Sequence, residues 1–226
     1  MSIFAALDVY RDIDSRPAAL NMAIDEALLE TATQPTIRFY KWDHPALSFG
    51  YFGKFSDIEE HQSKRDLVRR WTGGGIVLHG EDLTYSIVIP ASDSAFSESS
   101  TSIYEKVHHA VCGALSAKGH SAELASCSTL NAQHSTFNTQ CFVNPVRADV
   151  LWNGRKIAGA AQRRTRGGLL QQGSIQGVEL DADFGKSFAA LLCDNCEEKT
   201  LSARILHRAR EIADRKYATP TWLHRR

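Results

Sequence analysis

The chain has 226 residues, 43% hydrophobic and 23% charged, which suits a soluble globular protein with a substantial buried core. Its 26 basic and 26 acidic residues cancel, so no global field draws it to nucleic acid or an anionic membrane. The opening stretch MSIFAALDVYRDIDSRP meets Arg11 and Asp12 too early for a secretory signal, and no apolar run approaches the roughly 20 residues of a spanning helix, so a cytoplasmic protein is expected.

Between Pro17 and Pro35, Leu20, Ile24, Ala27, Leu28 and Thr31 recur at helical spacing, with Asp25, Glu26 and Glu30 on the opposite side; this predicts an amphipathic helix. Thr36–Trp42 and Ala46–Phe52 are β-rich runs parted by Asp43, His44 and Pro45, and they read as antiparallel neighbours. Arg69 to Gly80, RRWTGGGIVLHG, reads as a strand pair interrupted by three consecutive glycines. Leu83–Pro90 is a further strand, and the polar loop after it ends in a cap for a helix striped by Ile103, Val107, Val111 and Leu115.

Residues 126–139 are polar and aperiodic and read as a long loop. Asn153-Gly154, set between two β-rich runs, is a strong hairpin signal. GGLLQQGSIQG continues as a strand, and two helices, near Asp183–Leu192 and Leu201–Arg215, follow. Antiparallel strands mixed with a few helices and no composition break give an α+β class and a single domain, residues 1–226.

The triple glycine is no dinucleotide fingerprint, because Leu78 stands where the third glycine is needed and no helix follows. Likewise GKS at Gly185 to Ser187 lacks the upstream glycine of a phosphate loop, Leu180 standing there. Three adjacent glycines do permit positive φ and let a ligand lie against bare backbone, while Arg69 and Arg70 could meet a phosphate or carboxylate. The plain alternative is a bulged turn with solvated arginines.

Lys156 follows the hairpin turn and could hold an anionic or carbonyl oxygen in a cleft, or simply face solvent. Arg163, Arg164 and Arg166 have no aromatics interleaved among them and read as an exposed inter-strand loop rather than a nucleic-acid surface. The five cysteines, an odd number scattered along the chain, argue against a disulfide framework. Cys193 and Cys196 have half-zinc spacing without a second pair, so no metal site is expected. Cys141, fifteen positions before Lys156, could become a nucleophile if the lysine favours its thiolate; a buried inert thiol is the other reading.

Two longer stretches, RRWTGGGIVLHGEDLTYSIVIP and ADVLWNGRKIAGAAQRRTRGGLLQQGSI, stand in the order and separation of the two signatures of the lipoate-protein ligase and octanoyltransferase family, and the chain resembles that family from about Asn21 to Ile175. The resemblance implies a mixed, largely antiparallel sheet flanked by helices, similar to the biotin and lipoate ligase catalytic domain; the C-terminal accessory domain of many stand-alone ligases is not expected, since little sequence follows that core. It implies that Arg70, Gly73, Gly74, Gly75 and His79, with Gly159 and Ala161 of the second signature, shape the acyl pocket, and that Lys156 contacts the acyl carbonyl or acyl phosphate.

The stretch CFVNP, Cys141 to Pro145, resembles the C-F-x-x-P of the cysteine-dependent octanoyltransferases, although Val146 to Asp149 depart from the residues usual after that proline. By resemblance, then, Cys141 and Lys156 are catalytic and an octanoyl or lipoyl group passes from acyl carrier protein, through a Cys141 thioester, to a lysine of a lipoyl carrier domain. Such a domain is the glycine cleavage H protein or a 2-oxoacid dehydrogenase E2 subunit. No cofactor is required for that route, and neither nucleic acid nor membrane is a partner. The alternatives are an ATP- and magnesium-dependent lipoate ligase forming lipoyl-adenylate, and a non-catalytic acyl- or carrier-binding relative.

Overall fold

The computed structural model describes residues 2–126 and 145–225. The expected Cys141, and most of the loop expected at 126–139, lie outside them. Among the described residues the strands form two sheets, one of eight strands and one of three.

The large sheet begins with β1 (Leu7–Arg11) and β2 (Thr36–Tyr40), parallel to one another, with α1 (Ala18–Thr31) as their crossover. β3 (Ala46–Phe49), β4 (Asp66–Arg69) and β5 (Val77–His79) make the small sheet, in the order β4-β3-β5. The chain returns to the large sheet with β6 (Leu83–Pro90), which pairs antiparallel with β2. After α2 (Ser100–Ser116) come β7 (Ala122–Leu124), β8 (Val150–Trp152), β9 (Arg155–Arg164) and β10 (Gly168–Ile175), an antiparallel meander whose last strand lies against β6. α3 (Phe184–Leu192), β11 (Cys196–Lys199), α4 (Ala203–Ile212), a π-helical turn at Ala213–Tyr217 and α5 (Pro220–Leu223) complete the fold, with β11 parallel to β1 at the sheet edge.

The α+β class and largely antiparallel sheet agree with expectation, and so does the hairpin: Asn153 and Gly154 take φ of 50° and 73°, the two left-handed positions that suit strand twist in a two-residue turn. The expected pairing of Thr36–Trp42 with Ala46–Phe52 does not occur. β2 is buried along its whole length between β1 and β6, so it has no free edge, and the turn after it sends the chain into the second sheet. Similarly β4 and β5 flank β3 rather than each other, which leaves the glycine turn arched across the end of the small sheet.

Strand alternation gives the large sheet two unlike faces. One carries Ile37, Phe39, Tyr85, Ile87, Ile89 and Leu169 into an apolar core beneath α2 and α3. The other turns Arg38, Thr84, Ser86, Gln172 and Ser174 inward, all buried, beneath α1 and the small sheet. Buried polar side chains need partners, so this second face is organised by hydrogen bonds. Arg38 donates to Asp12, Asp25 and Asn21 and lies 4.1 Å over the Tyr40 ring. Asp25, expected on the solvent side of α1, is fully buried: it answers Arg38 and also accepts from Ser86, Tyr40 and Gln172.

Candidate active site

Between the polar face and the small sheet lies a cleft of about 420 Å³, lined by Met22, Tyr40, Trp42, Ser48, Arg70, Gly74, His79, Gly159, Ala161 and Gln172 among others. Gln172 forms part of its floor, donating to Asp25 and accepting from Thr72 at the mouth of the glycine turn. The turn passes very close to β3. A Cβ placed on Gly50 would stand 2.0 Å from the Gly74 carbonyl, and Gly74 itself takes φ of 84°, so only bare backbone makes this wall.

The two arginines of the turn are buried, not solvated, and they part company. Arg69 donates to the carbonyls of Tyr51, Gly53, Trp222, Leu223 and Arg225, while Trp222 Nε1 donates back to the Arg69 carbonyl; its donors are spent on fastening loops. Arg70 faces the cleft. It donates to the carbonyls of Gly73 and Gly75 at 3.0 and 2.8 Å, holding the turn, and to Ser48 Oγ at 2.6 Å.

Ser48 in turn lies 2.7 Å from His79 Nε2, and His79 Nδ1 lies 2.8 Å from Asp82. Because Arg70 is a donor only, the serine hydroxyl gives its proton to Nε2, which fixes the tautomer with Nδ1–H directed at Asp82. Trp42 stacks on the imidazole with ring centroids 4.1 Å apart. Burial pushes His79 below its usual pKa against the pull of Asp82, so the ring is neutral near pH 7. Burial would push Asp82 up, but hydrogen bonds from His79, Ser174 and Thr84 hold its carboxyl below the ordinary range.

On the opposite wall Lys156 is not a solvent-facing hairpin lysine. Its side chain is 2% exposed and its Nζ lies 2.7 Å from Asp149, which also accepts from Tyr104 Oη and from the Val146 amide. A Cβ on Gly159 would come within 2.7 Å of Lys156 Cε and 2.8 Å of Nζ, so the missing side chain gives the ammonium its seat at the cleft wall. Together these elements set a neutral imidazole, the Arg70 guanidinium and bare glycine backbone around one cleft, with the Lys156 ammonium beside its Gly159 wall.

The family model of the lipoyl protein ligase A/B catalytic domain matches residues 17–210. This chain belongs to that family. It is similar to octanoyltransferase LipM of Geobacillus kaustophilus, 39% identical over 192 residues, 79% of this chain and 69% of that protein. It is also similar to octanoyltransferase LipM of Brevibacillus brevis, 36% identical over 177 residues, 74% of this chain and 64% of that protein. The aligned region thus spans about two thirds of these relatives' own lengths. A solved bi-partite lipoate protein ligase from Thermoplasma acidophilum, described with its E2 lipoyl domain, superposes with a TM-score of 0.72 over 98% of this chain and 96% of its own, at 21% identity, a likeness of fold.

Within this lipoyl ligase domain, Arg70, Gly74, His79, Gly159 and Ala161 all line the one cleft. Gly73 and Gly75 serve it through their carbonyls, and Lys156 abuts it beside Gly159. Sequence reasoning missed Ser48, Asp82, Gln172 and Tyr104, and gave Asp149 no role. The register set by the Asn153-Gly154 turn alone would put Asp149 across from Ala158; a bulge between Val150 and Leu151 shifts it to Gly159 and so beside Lys156, which no sequence signal marked. Arg163 and Arg164 are the last residues of β9 rather than an exposed loop, because they pair with Leu170 and Leu169. Arg164 is anchored on the carbonyls of Phe96 and Glu98. Arg163 lies among aromatic rings brought from distant sequence.

Proposed function

We propose that this chain is a lipoylation acyltransferase, moving an octanoyl or lipoyl group from acyl carrier protein to a lysine of a lipoyl carrier domain through a thioester on Cys141. The observation that carries the reading is the 39% identity to an octanoyltransferase over most of the chain. The acceptors proposed are the glycine cleavage H protein and 2-oxoacid dehydrogenase E2 subunits.

In the first half-reaction the Cys141 thiolate attacks the thioester carbonyl; a new carbon–sulfur bond forms, the old one breaks, and the carrier thiolate leaves and takes a proton. In the second, the acceptor amine attacks the acyl-enzyme, an amide forms, the Cys141 thiolate leaves, and the amine's excess proton is released. Both halves place negative charge on the same carbonyl oxygen. Lys156, desolvated and oriented by Asp149, is suited to stabilise it, because a fixed cation in a water-poor cleft needs no reorganisation. The glycine walls let the acyl chain lie against backbone, and the Asp82–His79–Ser48 relay holds Arg70 over the turn.

This route requires no cofactor; the alternative, an ATP- and magnesium-dependent lipoate ligase, would consume free lipoate. Mass spectrometry after incubation with octanoyl-acyl carrier protein should find octanoate on the peptide holding Cys141, and addition of a lipoyl domain should discharge it. Absence of the adduct, with Cys141→Ser still active, would reject the thioester route, and ATP-dependent use of free lipoate would select the ligase.

A further inference from the structure

Along one face of β9, Gly159 and Ala161 line the cleft and Arg163 follows on the same face, since strand side chains alternate. Arg163 is half-buried, its guanidinium 5.1 Å from the Tyr51 ring centroid and 5.2 Å from that of Trp71. It makes neither a hydrogen bond nor an ion pair with the described residues. Lys216 lies 4.2 Å from the same Trp71 ring and 4.5 Å from Trp222, and Arg225 lies 4.7 Å over Tyr51. Against three cations stand Glu26, already bonded to Lys216 and Tyr217, and, farther off, Glu30, already paired with Arg208. Burial pushes the Lys216 ammonium below its usual pKa, and the neighbouring Arg163 adds to that push.

A guanidinium fixed between two rings with its N–H groups unspent is a preorganised anion receptor. Four residues of strand separate it from Gly159, about 13 Å at about 3.3 Å per residue. The arm of an acyl carrier protein spans about thirteen bonds from thioester sulfur to phosphorus, comparable to four extended residues and so roughly 15 Å. We infer that Arg163, backed by Lys216 and Arg225, is the binding site for the phosphate of the donor's phosphopantetheine arm, an inference that rests on the transfer reading above. The strand acts as a ruler: a phosphate held at Arg163 delivers its thioester to the Lys156 end of the cleft.

The test is calorimetric titration of the intact chain with phosphopantetheine and with pantetheine, which differ by the phosphate alone. The wild type should bind the phosphorylated arm about tenfold more tightly, a preference that shrinks with added salt. Arg163→Ala and the ring-sparing Arg163→Gln should each abolish the preference, whereas Lys186→Ala, on the exposed side of α3, should keep it. Equal or undetectable binding of the two ligands by the wild type would overturn the site, as would a preference surviving in both Arg163 variants. It is also overturned if those variants lose magnesium-ATP affinity but not phosphopantetheine affinity. The ratio is read without turnover, so a wild type that fails to move octanoate from its carrier rejects the transfer reading by a separate measurement.

Discussion

Two buried cations sit on opposite sides of the cleft floor, and their surroundings differ in kind. Arg38 is enclosed by Asp12, Asp25 and Asn21, with its donors answered at 2.7 to 3.2 Å. Lys156 is ion-paired with Asp149 at 2.7 Å, and its side chain lies against Gly159, a glycine that lines the cleft. A buried charge enclosed by several elements fixes their positions, here α1 on β2; one seated beside a glycine of the cleft wall stands next to the space a ligand would fill. The difference teaches that burial alone does not mark a functional charge, and that its place relative to the cleft does.

The contrast predicts separable losses. Arg38→Met leaves the buried Asp25 without a cation and Asp12 with Arg16 alone, and should destabilise the chain by about 3–5 kcal/mol in denaturant titrations, with insoluble expression as the extreme. A cost near zero would mean that the node is ornamental. Lys156→Met should lower octanoyl transfer roughly a hundred- to a thousand-fold while leaving a folded protein by circular dichroism. If it unfolds as readily as the Arg38 variant, the two nodes are alike and the contrast fails.

Acid should loosen the Lys156 side first. His108 donates Nδ1–H to the Ala148 carbonyl beside Asp149, and burial pushes its pKa down to about 4 from 6.5. The unfolded chain therefore takes up a proton below pH 6.5 that the folded chain refuses, so this contribution is complete above 6.5 and is lost as pH falls toward 4. Chemical denaturation across that window should show a decline of roughly 2–3 kcal/mol that is smaller in His108→Asn. Gly159→Ala, which sets a methyl against Lys156 Cε and Nζ, should reduce transfer about tenfold at a stability cost of about 1 kcal/mol. Ser48→Ala removes the hydroxyl between Arg70 and His79 and should cost about 1 kcal/mol with a several-fold rise in KM for the acyl donor.

Much of this was legible in the sequence because it is local. The helix after Pro17, the strand Leu83–Pro90 and the Asn-Gly hairpin each carry their own signal, and the two signatures brought with them the residues that meet around the cleft. What failed was non-local. β1 and β11 are partners in a parallel pairing across most of the chain length, with no turn between them to give them away. Asp25 sits at a position where helical periodicity alone assigns it to solvent, and Arg38, Tyr40, Ser86 and Gln172, all on strands of the large sheet, make its burial tolerable. The rings around Arg163 come from Tyr51 and Trp71, about a hundred residues upstream, so no reading of its own neighbours could have found them.

The fastening of Arg69 to the carbonyls of Trp222, Leu223 and Arg225 sets an order of events at the ribosome. The glycine turn is synthesised early, yet its anchor is added about 150 residues later, after nearly every other part of the cleft. Until those last carbonyls clear the exit tunnel, the nascent chain can assemble its sheet but cannot lock its turn. The cleft is thus secured only once Trp222 to Arg225 are in place, and a polypeptide stalled short of Trp222 would present a sheet with an unsecured turn.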